Sequence, residues 1–232
     1  MDIVLTGKNT LITGGTGALG KIVAKKFLQE GFKVASSFLS VAEAAPSQSE
    51  TFMVRADVSK EEDVVLIFDK VIANFGSVDI LINLVGGFIP GSNIRDVSSK
   101  DWDFMMNLNL KTAFLCSREF LRRHANSNYG RIINIAAMPA LKPTAGRGPY
   151  AVSKAGVVTL TAILGDELKG TGVTVNAVAP SIIRTEANML SMPAEDKSKW
   201  VTPEHIADLM LFLCSSSGES INGVCIPVFA GV

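Results

Sequence analysis

The chain has 232 residues, 47% of them hydrophobic, and Lys plus Arg balance Asp plus Glu at 22 each. That length buries a full core as one domain over 1–232, and the prior of about 150 residues per domain does not force a split, since α/β folds often run this long. The even charge, with no long run of either sign, excludes the footprint of a nucleic-acid or membrane-surface binder and leaves a small-molecule substrate as the expected partner.

Cys116, Cys214 and Cys225 lie far apart without CxxC spacing, so neither a disulfide framework nor a metal site is expected. They read as buried thiols. The opening "MDIVLTGKNTLITGG" lacks a basic region followed by a small-residue cleavage site, and no apolar run approaches the roughly 18 residues that span a bilayer. A cytoplasmic protein is expected.

In chain order the sequence alternates short apolar runs with helix-length amphipathic ones. "NTLITG" is a strand, "ALGKIVAKKFLQEG" a helix, "KVASSFL" and "TFMVRAD" strands, "KEEDVVLIFDKVIANFG" a helix and "VDILINLVG" a strand. "DWDFMMNLNLKTAFLCSREFLRR" reads as helix, "GRIINIAA" as strand, "PYAVSKAGVVTLTAILGDELKG" as helix, "GVTVNAVAP" as strand, "PEHIADLMLFLCSS" as helix and "GVCIPVF" as the last strand. Runs apolar on both faces suit a parallel sheet covered by helices on each side, the doubly wound α/β class. Loop-like composition falls at 40–50, 86–93 and 188–199, the last two candidates for lying over a site.

The first chemical signal is "TLITGGTGALGKIVAKKF", a glycine cluster between strand and helix. Gly15, Gly17 and Gly20 satisfy G-x-G-x-x-G, which lets backbone N–H groups approach a pyrophosphate at the positive end of a helix. Gly14, Gly17 and Gly20 are the first cofactor candidates. An acid near the end of the second strand would ordinarily hold the ribose 2′-hydroxyl of NAD, but that position is Phe38. No carboxylate repels a 2′-phosphate there, and the sequence sets no Arg or Lys beside it. Ser36, Ser37 and Ser40 remain as neutral donors, so NAD and NADP both stay open, with the balance toward NADPH.

The second signal is Tyr150 and Lys154, one helical turn apart on the same face. An ammonium beside a phenol favours the charged form and makes the tyrosine a better general acid or base near neutrality.

Read in order, "TGGTGALG", "RADVS", "VDILINLVGG", "WDFMMNLNLKTAF", "GRIINIAA", "YAVSK" and "VNAVAPSIIRT" resemble the short-chain dehydrogenase/reductase family over essentially the whole chain. The resemblance implies a Rossmann-type doubly wound parallel β-sheet flanked by helices on both faces, a homodimer or homotetramer, and a short substrate loop at about 186–202. It implies Tyr150 as proton donor, Lys154 on the nicotinamide ribose and Asn109 in a proton relay. Around the cofactor it implies Gly14, Gly17, Ala18, Leu19, Gly20, Ser37, Asp57, Val58, Asn83, Ile183 and Thr185.

The chain departs from the family pattern at Ala18, at "NLVG", at Pro180-Ser181 and, most consequentially, at Ala137. The family carries there a serine that donates to the substrate oxygen, and losing one such donor costs about a hundredfold or more in rate. Thr144 is the nearest hydroxyl in sequence, on a connecting loop. The dihydropteridine reductase branch is similar in a "GGxGALG" fingerprint, in a "VAGG" plus aromatic where this chain has "LVGGF", in an alanine at the serine position and in a short substrate loop. These departures point to reduction of a quinonoid dihydropterin or similar planar substrate, with Phe88, Met189, Met192 and Trp200 walling the pocket. Two alternatives are a carbonyl reductase such as a 3-oxoacyl reductase, and a catalytically silent dinucleotide-binding sensor.

Overall fold

The computed structural model describes residues 7–40, 50–91, 93–124 and 128–231. The expected loop at 40–50 falls largely outside the described residues.

Seven strands form one sheet: β1 (Asn9–Thr13), β2 (Lys33–Phe38), β3 (Phe52–Arg55), β4 (Ile80–Asn83), β5 (Gly130–Ile135), β6 (Val173–Pro180) and β7 (Cys225–Val228). Every neighbouring pair is parallel and the order is β3-β2-β1-β4-β5-β6-β7. The order reverses between β1 and β4, so the helices after them leave on opposite sides and open a crevice at the strands' carboxyl ends.

The helices are α1 (Ala18–Gln29), α2 (Glu61–Phe75), α3 (Ser99–Met105), α4 (Thr112–Arg123), α5 (Met138–Leu141), α6 (Gly148–Glu167), α7 (Glu186–Ser191) and α8 (Pro203–Cys214). Strand alternation divides the core between the two sheet faces. Ile12, Ile82 and Ile133 pack with Val23 and Phe27 of α1 and with Ile206 and Met210 of α8. Their neighbours Leu11, Leu81 and Ile132 pack with Val64 and Phe68 of α2, Phe120 of α4 and Leu164 of α6. Both faces of the central strands are buried, which is why apolar residues occupy adjacent positions such as Leu11–Ile12, Ile80–Ile82 and Ile132–Ile133 rather than alternating with exposed polar ones.

The long helix expected from "DWDFMMNLNLKTAFLCSREFLRR" is interrupted. Met106–Lys111 is a π-helical stretch between α3 and α4, a wide turn of the kind found at functional sites. All three cysteines are free; Cys116 and Cys214 are buried, and burial pushes both thiols up to about 12. Cys225, expected to be buried, is half-exposed on the last strand. Among the described residues no helix is long and apolar enough to cross a membrane, and no cluster of His, Cys, Asp and Glu is placed to hold a metal.

Candidate active site

The glycine cluster forms the turn from β1 into α1, and its members do different jobs. Gly14 has φ +71, and a Cβ there would sit 3.1 Å from the Val85 side chain and 3.2 Å from its backbone nitrogen. A side chain at Gly15 would collide with Ser36, and at Gly20 it would lie 2.4 Å from the Gly14 carbonyl and 2.6 Å from Gly15 Cα. These three glycines are required by the turn itself. Gly17 is the exception. It is exposed at the N-cap of α1, its N–H donates to the Gly14 carbonyl, and a Cβ would meet only that oxygen, at 3.3 Å. Apart from that tight contact the position opens outward, leaving room for a phosphate to approach the backbone closely. Ala18 projects into solvent and Leu19 packs partly into the core, so a methyl at 18 disturbs nothing.

Beside this turn lies a cavity of about 330 Å³, lined among others by Gly14, Thr16, Ser37, Phe38, Asp57 and Val58 and closed on the far side by Phe104 and Leu108. Its apolar walls and few polar groups suit an adenine ring and its ribose. The Ser37 hydroxyl accepts from the Gly14 N–H at 3.0 Å and so helps fix the turn. Asp57 Oδ1 is held by the N–H and hydroxyl of Ser59, which aims that carboxylate at the cavity edge. Ser36 is buried and donates to the Ile12 carbonyl, whereas Ser40 is exposed.

Two expectations change here. The sequence set no cation beside Phe38, but the β2–β3 register pairs Phe38 with Arg55, and Arg55 Nε donates to the Leu39 carbonyl at 3.3 Å. A guanidinium therefore stands at the strand end where an NAD-holding acid would be. Asn83 faces away from the cavity. Its side chain is buried, donating to Asn134 Oδ1 at 2.9 Å and to the Ser117 hydroxyl at 3.2 Å, within a polar network that ties β4 to β5.

The catalytic candidates converge at the carboxyl ends of β4 and β5. Asn109, in the π-helical turn, clamps the loop after β4: its Oδ1 accepts from the Gly87 N–H at 2.9 Å and its Nδ2 donates to the Gly87 carbonyl and the Ser153 hydroxyl. Lys154 is buried on α6 with its ammonium donating to the Ile135 carbonyl at 2.9 Å, and burial pushes it down to about 8. Tyr150, one turn earlier, is half-buried, and the Phe88 ring meets it edge-on with centroids 5.2 Å apart. Burial raises the Tyr150 phenol, and the charge that opposes this rise belongs to Arg147. Lys154, expected to supply that charge, here donates its ammonium to the Ile135 carbonyl.

Ala137 is buried at the N-cap of α5, where no side chain accepts a hydrogen bond. A serine there would cap the helix as well as face the site; alanine does neither. Thr144 is exposed on the loop ahead of α6. The 186–202 segment carries α7, capped by the Thr185 hydroxyl, and Ile183 bridges to Val201. Met189 is exposed and Met192 half-buried on this segment, while Trp200 is 4% exposed, held in the core rather than standing in an open wall.

A family model described as short chain dehydrogenase matches residues 8–196. The uncharacterized oxidoreductase YvrD of Bacillus subtilis (strain 168) is 30% identical over 261 residues, covering all of this chain and 98% of its own. The 3-oxoacyl-(acyl-carrier-protein) reductase FabG of Staphylococcus epidermidis is also 30% identical, over 97% of this chain and 98% of its own. Among solved structures, the 3-ketoacyl-(acyl-carrier-protein) reductase of Brucella melitensis complexed with NADH superposes with a TM-score of 0.89 at 29% identity, covering 98% of each chain.

Proposed function

The chain belongs to the short chain dehydrogenase family and is an NAD(P)-dependent oxidoreductase, and we propose that it reduces a planar, conjugated electrophile, with Tyr150 as the proton donor. The reading treats residues 1–232 as one domain, with the 186–202 segment over the site, in a cytoplasmic setting. Exposed apolar side chains on α4 and α6, namely Phe114, Val152 and Ile163, support assembly as a dimer or tetramer, which sedimentation measures.

The observation that carries it is Ala137. In the turn from β5 into α5 it presents a methyl group where reduction of an isolated ketone needs a donor for the developing oxyanion. A quinonoid ring, such as that of a dihydropterin, spreads incoming charge over several heteroatoms, so a single donor suffices.

In this reading the Gly14 to Gly20 turn, Ser37, Asp57 and Val58 hold the dinucleotide, and Lys154, Ile183 and Thr185 lie toward its nicotinamide half. When bound, the cofactor supplies the hydride. Tyr150 holds the proton on its phenolic oxygen, because burial keeps it protonated, and releases it to the substrate. Asn109 fixes the loop that carries Phe88, both its side-chain polar atoms being engaged there and with Ser153.

The test is a rate comparison. Native protein is expected to turn over quinonoid dihydropterin or a simple quinone much faster than aliphatic ketones or 3-oxoacyl thioesters. Ala137→Ser is expected to raise the ketone rate by about tenfold or more, with the quinone rate nearly unchanged. The reading fails if native protein reduces simple ketones efficiently and ignores quinones.

The likeness to FabG favours a second reading, a 3-oxoacyl reductase. It requires a donor other than residue 137, and the same substrate panel decides between them.

Cofactor choice is expected to lean to NADPH, since Phe38 removes the acid and Arg55 adds a cation at the same strand end. Phe38→Asp is expected to shift the ratio of kcat/KM values toward NADH. A strong NADH preference in the unmodified protein would overturn this assignment.

A further inference from the structure

We propose that Arg147 recognises an anionic group of the substrate, so that the compound this enzyme reduces carries a carboxylate or phosphate beside its reducible ring. The proposal rests on the reductase reading above and adds the substrate's charge.

Arg147 occupies the N-cap of α6, three residues before Tyr150, and is exposed. A cation there opposes the helix macrodipole and caps nothing, so helix stability does not explain it. Among the described residues no carboxylate lies within ion-pair distance of its guanidinium, and no hydrogen bond engages its side chain, its carbonyl alone accepting from the Ala151 N–H. Its guanidinium lies 5.9 Å from the centroid of the Phe88 ring, the same ring that meets Tyr150 edge-on. Arg147, Pro149 and Tyr150 line one small hollow with Ile89, Pro90 and Gly91, the backbone packed so closely that a Cβ at Gly91 would strike the Gly146 carbonyl.

Asp101 also lines this hollow but forms no ion pair with Arg147: its Oδ2 accepts from the Ser98 hydroxyl at 2.7 Å, while its own N–H donates to that oxygen in a cap of α3. Between Glu119 and Asp166 the sequence carries Arg122, Arg123, Arg131, Lys142, Arg147 and Lys154 and no carboxylate. Of these, Arg122 and Arg123 are ion-paired to Glu61, Glu119 and Asp69, and Arg147 is the one that lines the hollow beside the proton donor. A planar ring stacked along Phe88 would bring a substituent within reach of this fork, and bidentate binding of carboxylate or phosphate is what a guanidinium does best.

The experiment uses the full-length enzyme with saturating cofactor and matched substrate pairs. One pair is a naphthoquinone with and without a ring carboxylate, the other the same quinone with and without a phosphate ester. Arg147→Gln is expected to lower kcat/KM for the charged members by about tenfold or more, the loss typical of a charge-assisted hydrogen bond. The neutral members should lose markedly less, so that the charged-to-neutral ratio of kcat/KM falls by about tenfold. Arg147→Lys should recover part of the loss.

A second readout is the basic limb of the pH profile with the neutral quinone. Three charged groups flank Tyr150, namely Arg147, Lys154 and Asp101, and removal of Arg147 alone should move the limb to higher pH, because its positive charge stabilises the phenolate. Equal losses on charged and neutral members, with no shift of the limb, would overturn the proposal. If native protein reduces only 3-oxoacyl compounds, the planar-substrate reading fails separately. The pair then becomes the coenzyme A thioester, with its phosphates, against the uncharged N-acetylcysteamine thioester, and an unchanged ratio in Arg147→Gln sinks the anion assignment there as well.

Discussion

Replacing Tyr150 with Phe is expected to lower kcat by about 10² to 10⁴, the usual contribution of a positioned proton donor, while cofactor affinity stays near its native value. The phenol is half-buried at the carboxyl edge of the sheet, and desolvation raises it above its ordinary value. Over the working pH range it therefore carries its proton and can give it away. Phenylalanine keeps the ring and its edge-on contact with Phe88, so the variant should fold and present the same pocket without the transferable proton. Steady-state turnover beside a cofactor fluorescence titration separates the two effects. Near-full turnover would mean that another group protonates the substrate. No detectable turnover in either protein, with tight cofactor binding in both, would favour the sensor hypothesis.

Gly17→Val is expected to weaken cofactor binding by roughly a hundredfold or more, about 3 kcal/mol, with little change in Tm. The residue has φ −68, which any L-residue adopts, and a Cβ there meets the rest of the protein only at the Gly14 carbonyl. Valine therefore asks of the fold only that the Gly14 carbonyl give by a few tenths of an ångström, far less than at Gly14 or Gly20. It fills the space above the first turn of α1, where backbone N–H groups and the positive end of the helix would receive a pyrophosphate. Gly14→Val and Gly20→Val lose binding for another reason, since both drive a side chain into the turn itself, and they should lower Tm as well. Native-like affinity in Gly17→Val, read by fluorescence titration of NADH and NADPH, would remove the cradle assignment.

Much of this was legible in the chain because it is encoded locally. The run "ILI" at 80–82 is apolar on both faces, as a sheet covered on both sides requires, and the alternation of such runs with amphipathic helices points to the doubly wound class. The glycine cluster sits within one turn and Tyr150 and Lys154 within one helix, so their spacing alone sets them on a common face. The missing donor at position 137 is likewise a plain fact of the sequence.

The tertiary structure decided what depends on segments far apart in the chain or on depth. Arg55 stands beside Phe38 through a strand register that the sequence does not write down. Asn83 looked like a cofactor ligand by position, but the pairing of β4 with β5 turns it toward Asn134 and into the core. Trp200, in a polar stretch, is buried because the bridge from Val201 to Ile183 draws the segment inward. The placement of Lys154 and Arg147 relative to Tyr150 is likewise a matter of depth. Burial weakens the charge of one, and exposure on the loop beside Phe88 leaves the other free, and only the packing of α6 against β5 fixes which is which.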